Sequence, residues 1–255
     1  MKEWKRTVAI FLVTTAGAGF AGRPLVIDNA DPVGKGRFEL ELGAGYESDS
    51  ACDHIEVPFG LSYGLTRDLQ VGFSFGGQLE ERNDAIGRDR ECGLGDLELS
   101  AKWQFYEETK WGPAQALAVA VKIPTADDSS GMGSGETDYD ISWIASKTVR
   151  EKTGVHVNAG YTWVGEPSGE KVGDIVHCGL AMDYQLTDAV QWVGEVFAEK
   201  ELLGGTQILV QCNTGFRWNP AENLTLDVAV GTGLHGDDVP DHTATAGLTW
   251  AFDLK

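Results

Sequence analysis

Positive charge, cysteine and long apolar runs are all scarce in this chain, and each scarcity removes a class of protein. The 20 Lys and Arg face 39 Asp and Glu, a formal net charge of −19 over 255 residues. Such a chain repels phosphate backbones, whose binding runs on Lys and Arg, so no nucleic-acid partner is expected. With 4 cysteines it is no disulfide-built scaffold. Beyond the N-terminus no apolar stretch nears the roughly 20 residues that a membrane-crossing helix needs, so any entry into a bilayer must be made by strands. Glycine (33) and aromatics (8 Trp, 10 Phe, 6 Tyr) are plentiful, and the acids are scattered singly, which excludes a disordered acidic chain.

Residues 1 to 21 read as a secretory signal peptide. Lys2, Lys5 and Arg6 precede the apolar run Val8 to Phe20, which ends among small residues. Cleavage fits after Ala18 or after Ala21, and Ala21 is preferred because it leaves Gly22-Arg23-Pro24 as the start. Removing that segment makes the mature chain still more acidic.

From Arg37 onward apolar and polar residues alternate with period two. In 96 to 105, Leu97, Leu99, Ala101, Trp103 and Phe105 share one face while Asp96, Glu98, Ser100, Lys102 and Gln104 share the other. Such segments recur at 37 to 46, 54 to 63, 69 to 78, 94 to 105, 114 to 123, 137 to 149, 154 to 164, 174 to 184, 190 to 200, 206 to 217, 224 to 233 and 242 to 252. Their length suits a tilted bilayer crossing better than a soluble sheet, whose strands centre on about five or six residues. The links alternate between tight polar turns and longer or Gly-rich loops, notably Leu79 to Gly93 and Pro124 to Glu136. Aromatics gather near both strand ends, as in the girdles of outer-membrane barrels. The expectation is an all-β, antiparallel transmembrane β-barrel of about twelve strands over 37 to 255. Residues 22 to 36 precede it as a plug or a periplasmic cap. A soluble secreted β-sandwich binding protein is the weaker alternative.

Inward parity gathers Glu39, Glu41, Glu56, Asp96, Glu98, Asp138, Asp140, Asp183, Glu195, Glu199 and Asp227, with Lys102 and Arg217 as the main opposing charges and His54, His156, His177 and Asn158 among them. Carboxylate rings favour cations in a pore. Glu98, Asp138 and Glu195 are the carboxylates whose neutralisation is expected to remove that preference. The other reading is that these groups pair with one another and fill a narrow barrel that acts as a structural or surface-interaction protein. Cys52 and Cys92 fall in or beside external loops and are candidates for a disulfide, whereas Cys178 and Cys212 face lipid on non-neighbouring strands. The histidines lack metal-ligand spacing. His235 lies in a loop and His242 has no outward Ser partner, so neither catalysis nor a cofactor is expected.

Several blocks stand in a recognisable order: Arg23-Pro24-Leu25-Val26-Ile27-Asp28-Asn29-Ala30-Asp31, Gly34 to Glu41, Gly93-Leu94-Gly95-Asp96-Leu97, Lys122-Ile123-Pro124-Thr125, Gly133 to Tyr139, Asn158-Ala159-Gly160-Tyr161, and Glu195. As a set they resemble the outer-membrane proteins of the MetA-pathway of phenol degradation family. Ile27 and Asn29 stand where Thr and Asp are usual there, and Asp253-Leu254-Lys255 extend past the aromatic Phe252. The resemblance implies a Gram-negative outer-membrane barrel that moves small hydrophobic or aromatic compounds without a cofactor. Its partners would be membrane lipid, lipopolysaccharide, the barrel-assembly machinery and the solute.

Overall fold

The computed structural model describes residues 22 to 49, 52 to 83, 88 to 127, 132 to 167 and 171 to 253, so the expected signal peptide lies outside the described residues. The alternating segments form β1 (Arg37–Ser48), β2 (Cys52–Gly64), β3 (Leu69–Asn83), β4 (Arg88–Leu94), β5 (Leu97–Tyr106), β6 (Ala114–Ile123), β7 (Asp138–Arg150), β8 (Thr153–Trp163), β9 (Ile175–Gln185), β10 (Val190–Glu201), β11 (Leu209–Ala221), β12 (Leu224–His235) and β13 (His242–Asp253). Each pairs antiparallel with its sequence neighbour, except that β3 takes β4 along its far half and β5 along its near half. β1 pairs with both β2 and β13, which closes the sheet. β4 and β5 therefore make one staff, and the barrel has twelve. Closure gives each of the twelve two partners, the condition for placing backbone in lipid, although β4 itself pairs with β3 alone among the described residues.

The break in that staff is a β-bulge. Ser74 pairs with Glu98 and Gly77 with Leu94, so three residues of the second strand oppose two of β3. Asp96, the extra residue, turns its carboxylate to the N–H groups of Thr125 and Ala126, both at 2.9 Å. The hairpin continues past the bulge, so 79 to 83 and 88 to 93, expected within one loop, are strand there.

The outer face is apolar along its whole height. Val57, Leu180, Val228 and Val230 stand more than half exposed, as they must if lipid and not water is their neighbour. At the turn end Phe38 lies against Tyr63 and Phe252 across the closing seam, at 4.6 and 5.4 Å between ring centres, and Trp250 meets Phe252 at 4.7 Å. Tyr161 and Trp163 are in contact at the loop end.

The expected disulfide is corrected. Neither Cys52 nor Cys92 is in a disulfide. Cys52 pairs with Arg82 and Cys92 with Leu79, on opposite sides of β3. Two strand spacings, about 10 Å, exceed the reach of a disulfide. Cys52 also points inward, its thiol 3.3 Å from Glu80, and Cys92 is exposed. Cys178 and Cys212 are free and flank β10.

Candidate functional site

Residues 22 to 36 run inside the barrel. The chain enters at the turn end, where the Gly36 N–H donates to the Gly64 carbonyl at 2.7 Å, and climbs along the inner wall. Irregular backbone has no ladder to satisfy it, so the wall supplies the partners. Gln70 accepts from the Val33 N–H (2.8 Å), Ser146 from Ala30 (2.8 Å), and the two Glu195 oxygens from Val26 (2.9 Å) and Ile27 (2.8 Å). Gln104 donates to the Ala30 carbonyl at 3.2 Å and to Asp31 at 2.9 Å. Arg217 donates to the carbonyls of Gly22 and Arg23.

Two ion pairs hold the segment. Lys102 Nζ lies 2.8 Å from Asp28 Oδ2, with both side chains about 5% exposed or less, and donates to the Asn29 carbonyl at 3.1 Å. Arg23 reaches across to Asp227 at 3.2 Å and donates to Thr245 at 3.1 Å. With its amide assigned so that the oxygen meets the Asp28 N–H, Asn158 clasps the backbone of Asp28, accepting its N–H at 2.8 Å and donating to its carbonyl at 3.0 Å. Apolar contacts complete the fit: Leu25 and Ile27 pack on Ala181, Val193 and Phe197, and Ala30 on Ala114, Ala116, Ala118 and Ile144. This explains the alanine inner face of β6, which no water-filled lumen would require. It also explains three inward glycines, since a Cβ on Gly43 or Gly247 would collide with the Arg23 guanidinium and one on Gly179 with Ile27.

Of the residues singled out in the sequence, Lys102, Asn158, Glu195, Arg217 and Asp227 contact the segment directly. His156 does so through Ser146, which bridges the Ala30 N–H and His156 Nδ1, while His156 Nε2 lies 2.7 Å from Asp183. Asp96 and Asp138 belong elsewhere. They flank Lys122 at 3.7 and 2.6 Å, and Lys122 also donates to Ser134. Asp140 accepts from Ser142, Thr162 and His177. Neutralising Asp138 or Glu195 would thus break bonds before it altered selectivity. Glu98 is 4% exposed, and neither carboxylate oxygen has a hydrogen-bond partner among the described residues. Glu39 is not brought to any of these groups by a hydrogen bond among the described residues.

On the loop side of the segment lies a cavity of about 110 Å³. Glu41, Glu47 and Glu56 line it together with Ser74, Gln211, Asn213 and Thr243, and its floor is Pro24, Leu25, Val26 and Phe197. Glu41 and Glu56 are singled out for the lumen in the sequence, whereas Glu47, Ser74, Arg23 and Lys122 are not. Glu47 and Ser74 were legible by the same parity. Lys122 was not, because β6 is apolar on both faces, and Arg23 lies in a segment without periodicity.

A family model described as "Putative MetA-pathway of phenol degradation" matches residues 21 to 252. Among solved structures, an outer membrane channel from Pseudomonas putida F1 superposes with a TM-score of 0.72 at 14% identity, covering 88% of this chain and 98% of that one. The NanC porin gives 0.61 at 10% identity, covering 83% and 98%. The translocator domain of the autotransporter NalP from Neisseria meningitidis gives 0.60 at 9% identity, covering 98% and 97%. No curated protein matches the chain. At these identities the structural likenesses establish the fold, a closed outer-membrane barrel.

Proposed function

The chain belongs to the family described as "Putative MetA-pathway of phenol degradation", and from that premise we propose that it is a passive outer-membrane channel for small molecules, gated by residues 22 to 36. The observation that carries this reading is the division of the lumen. Its turn-side half is filled by a segment held through polar bonds, and its loop-side half is an acidic cavity with an apolar floor. A purely structural filling would be better served by apolar packing, since a buried ion pair adds little net stability over hydrophobic groups of like volume. Polar bonds can be exchanged for water when the segment moves.

The apolar belt and aromatic girdles support placement in the outer membrane, among lipid and lipopolysaccharide, after delivery by the barrel-assembly machinery. The apolar floor, Leu25, Val26 and Phe197, supports a small hydrophobic or aromatic solute. The carboxylates above it disfavour anions, and no catalytic group or cofactor enters the account.

Refolded protein in a planar bilayer under a salt gradient tests this reading. The expected result is a steady current whose reversal potential favours cations, with the preference lost when Glu41, Glu47 and Glu56 are all changed to Gln. A folded barrel that stays silent, both as wild type and after the segment's bonds are weakened, would replace it with the structural reading.

A further inference from the structure

The loop-side cavity is more specific than an acidic lumen requires. Glu41, Glu47 and Glu56 face it from β1 and β2, and no described residue hydrogen-bonds to any of them. The nearest cation, Arg23, already has Asp227 as its partner, so none of the three carboxyl groups has a cation of its own. Two further polar side chains line the same space. Gln211 is 3% exposed and Ser74 7%, and neither has a hydrogen-bond partner among the described residues. Their polar atoms open onto the cavity and not onto a protein partner, so beside the three carboxyl groups they are placed to meet a bound donor.

We propose that this cavity binds a small primary organic ammonium ion, its –NH₃⁺ directed at the carboxylates and Gln211 and its apolar body resting on Leu25, Val26 and Phe197. The inference rests on the channel reading and names a solute class for the same lumen. Three features favour it over other ligands. An ammonium group has three hydrogens to donate, matching a wall rich in acceptors. A bare metal ion is disfavoured because no three His, Cys, Asp or Glu among the described residues come close enough to share one. The third is size: an apolar cavity of about 150 Å³ takes benzene, so the roughly 110 Å³ here holds a body of a few carbons and leaves the lumen beyond it open.

The test is isothermal titration of the refolded full-length mature chain in detergent, its fold verified by heat-sensitive gel mobility. The probes are n-butylammonium chloride, its neutral counterpart 1-butanol, and calcium chloride. Saturable binding of butylammonium at least about tenfold tighter than butanol is expected. Glu41→Gln, Glu56→Gln and Gln211→Leu should each weaken it, the carboxylate changes by about tenfold, while Glu107→Gln in a turn outside the cavity should not. Equal binding of butanol, tighter binding of calcium, or no binding to a folded barrel would overturn the proposal. Conductance is recorded separately on the same preparation. Binding without conductance supports the site and defeats the channel reading, whereas conductance without binding defeats the site alone.

Discussion

Lys102 neutralises Asp28 inside the barrel, and each side chain is buried deeply enough that losing one strands the other. Lys102→Met should therefore cost about 3 to 5 kcal/mol, read as a lower temperature at which the compact gel band of the folded barrel disappears. Glu98 behaves in the opposite sense. Its carboxylate is buried without a hydrogen-bond partner among the described residues, so Glu98→Met should be neutral or stabilising, by up to about 3 kcal/mol, in the same assay. Alternation along β5 was enough to turn both side chains inward. It could not say that Lys102 meets Asp28, because the partner sits in an irregular segment whose path depends on the assembled wall. The cysteines show the same boundary: their parity was readable, but a disulfide needs a strand-to-strand address, and β3 lies between Cys52 and Cys92.

Among the elements, the segment 22 to 36 is the one whose position matters most for function. Its tightest apolar fit is at Gly179, where any Cβ would strike Ile27 and Phe197. Gly179→Val should dislodge it while leaving all its polar partners in place. In hydrogen–deuterium exchange, a peptide carrying the Val26 and Ile27 N–H groups should be protected in the wild type and exchange rapidly in the variant. Strand existence was legible for every strand but β4, since elsewhere the period-two pattern and turn chemistry coincide. The β4–β5 bulge was not, because one inserted residue shifts the pattern by a single place inside what looks like a loop. On the turn side, Glu108 accepts from Lys147 and from the Thr148 N–H, and the Lys147 hydrogen bond holds its carboxyl below the usual carboxylate range. Its small contribution is present above the unfolded carboxylate's pKa and fades as pH falls through the lowered value.

The whole molecule works as a gated channel only with lipid outside and a segment-filled lumen within. Leu180→Arg, on the outer face of β9, should cost roughly 2 to 4 kcal/mol in bilayer refolding, the penalty for a charge near the midplane, and much less if that face met water. Twelve staffs and closure could be inferred from strand count and length, because a membrane sheet must close. Whether the lumen is open could not, since inward glycines serve a water channel and a close-packed segment equally. The most direct test is therefore single-channel conductance of the wild type beside Lys102→Met, both verified as folded barrels. If residues 22 to 36 gate the lumen, the variant will carry a larger and steadier current with a cation-favouring reversal potential. Indistinguishable currents from the two proteins would contradict the account.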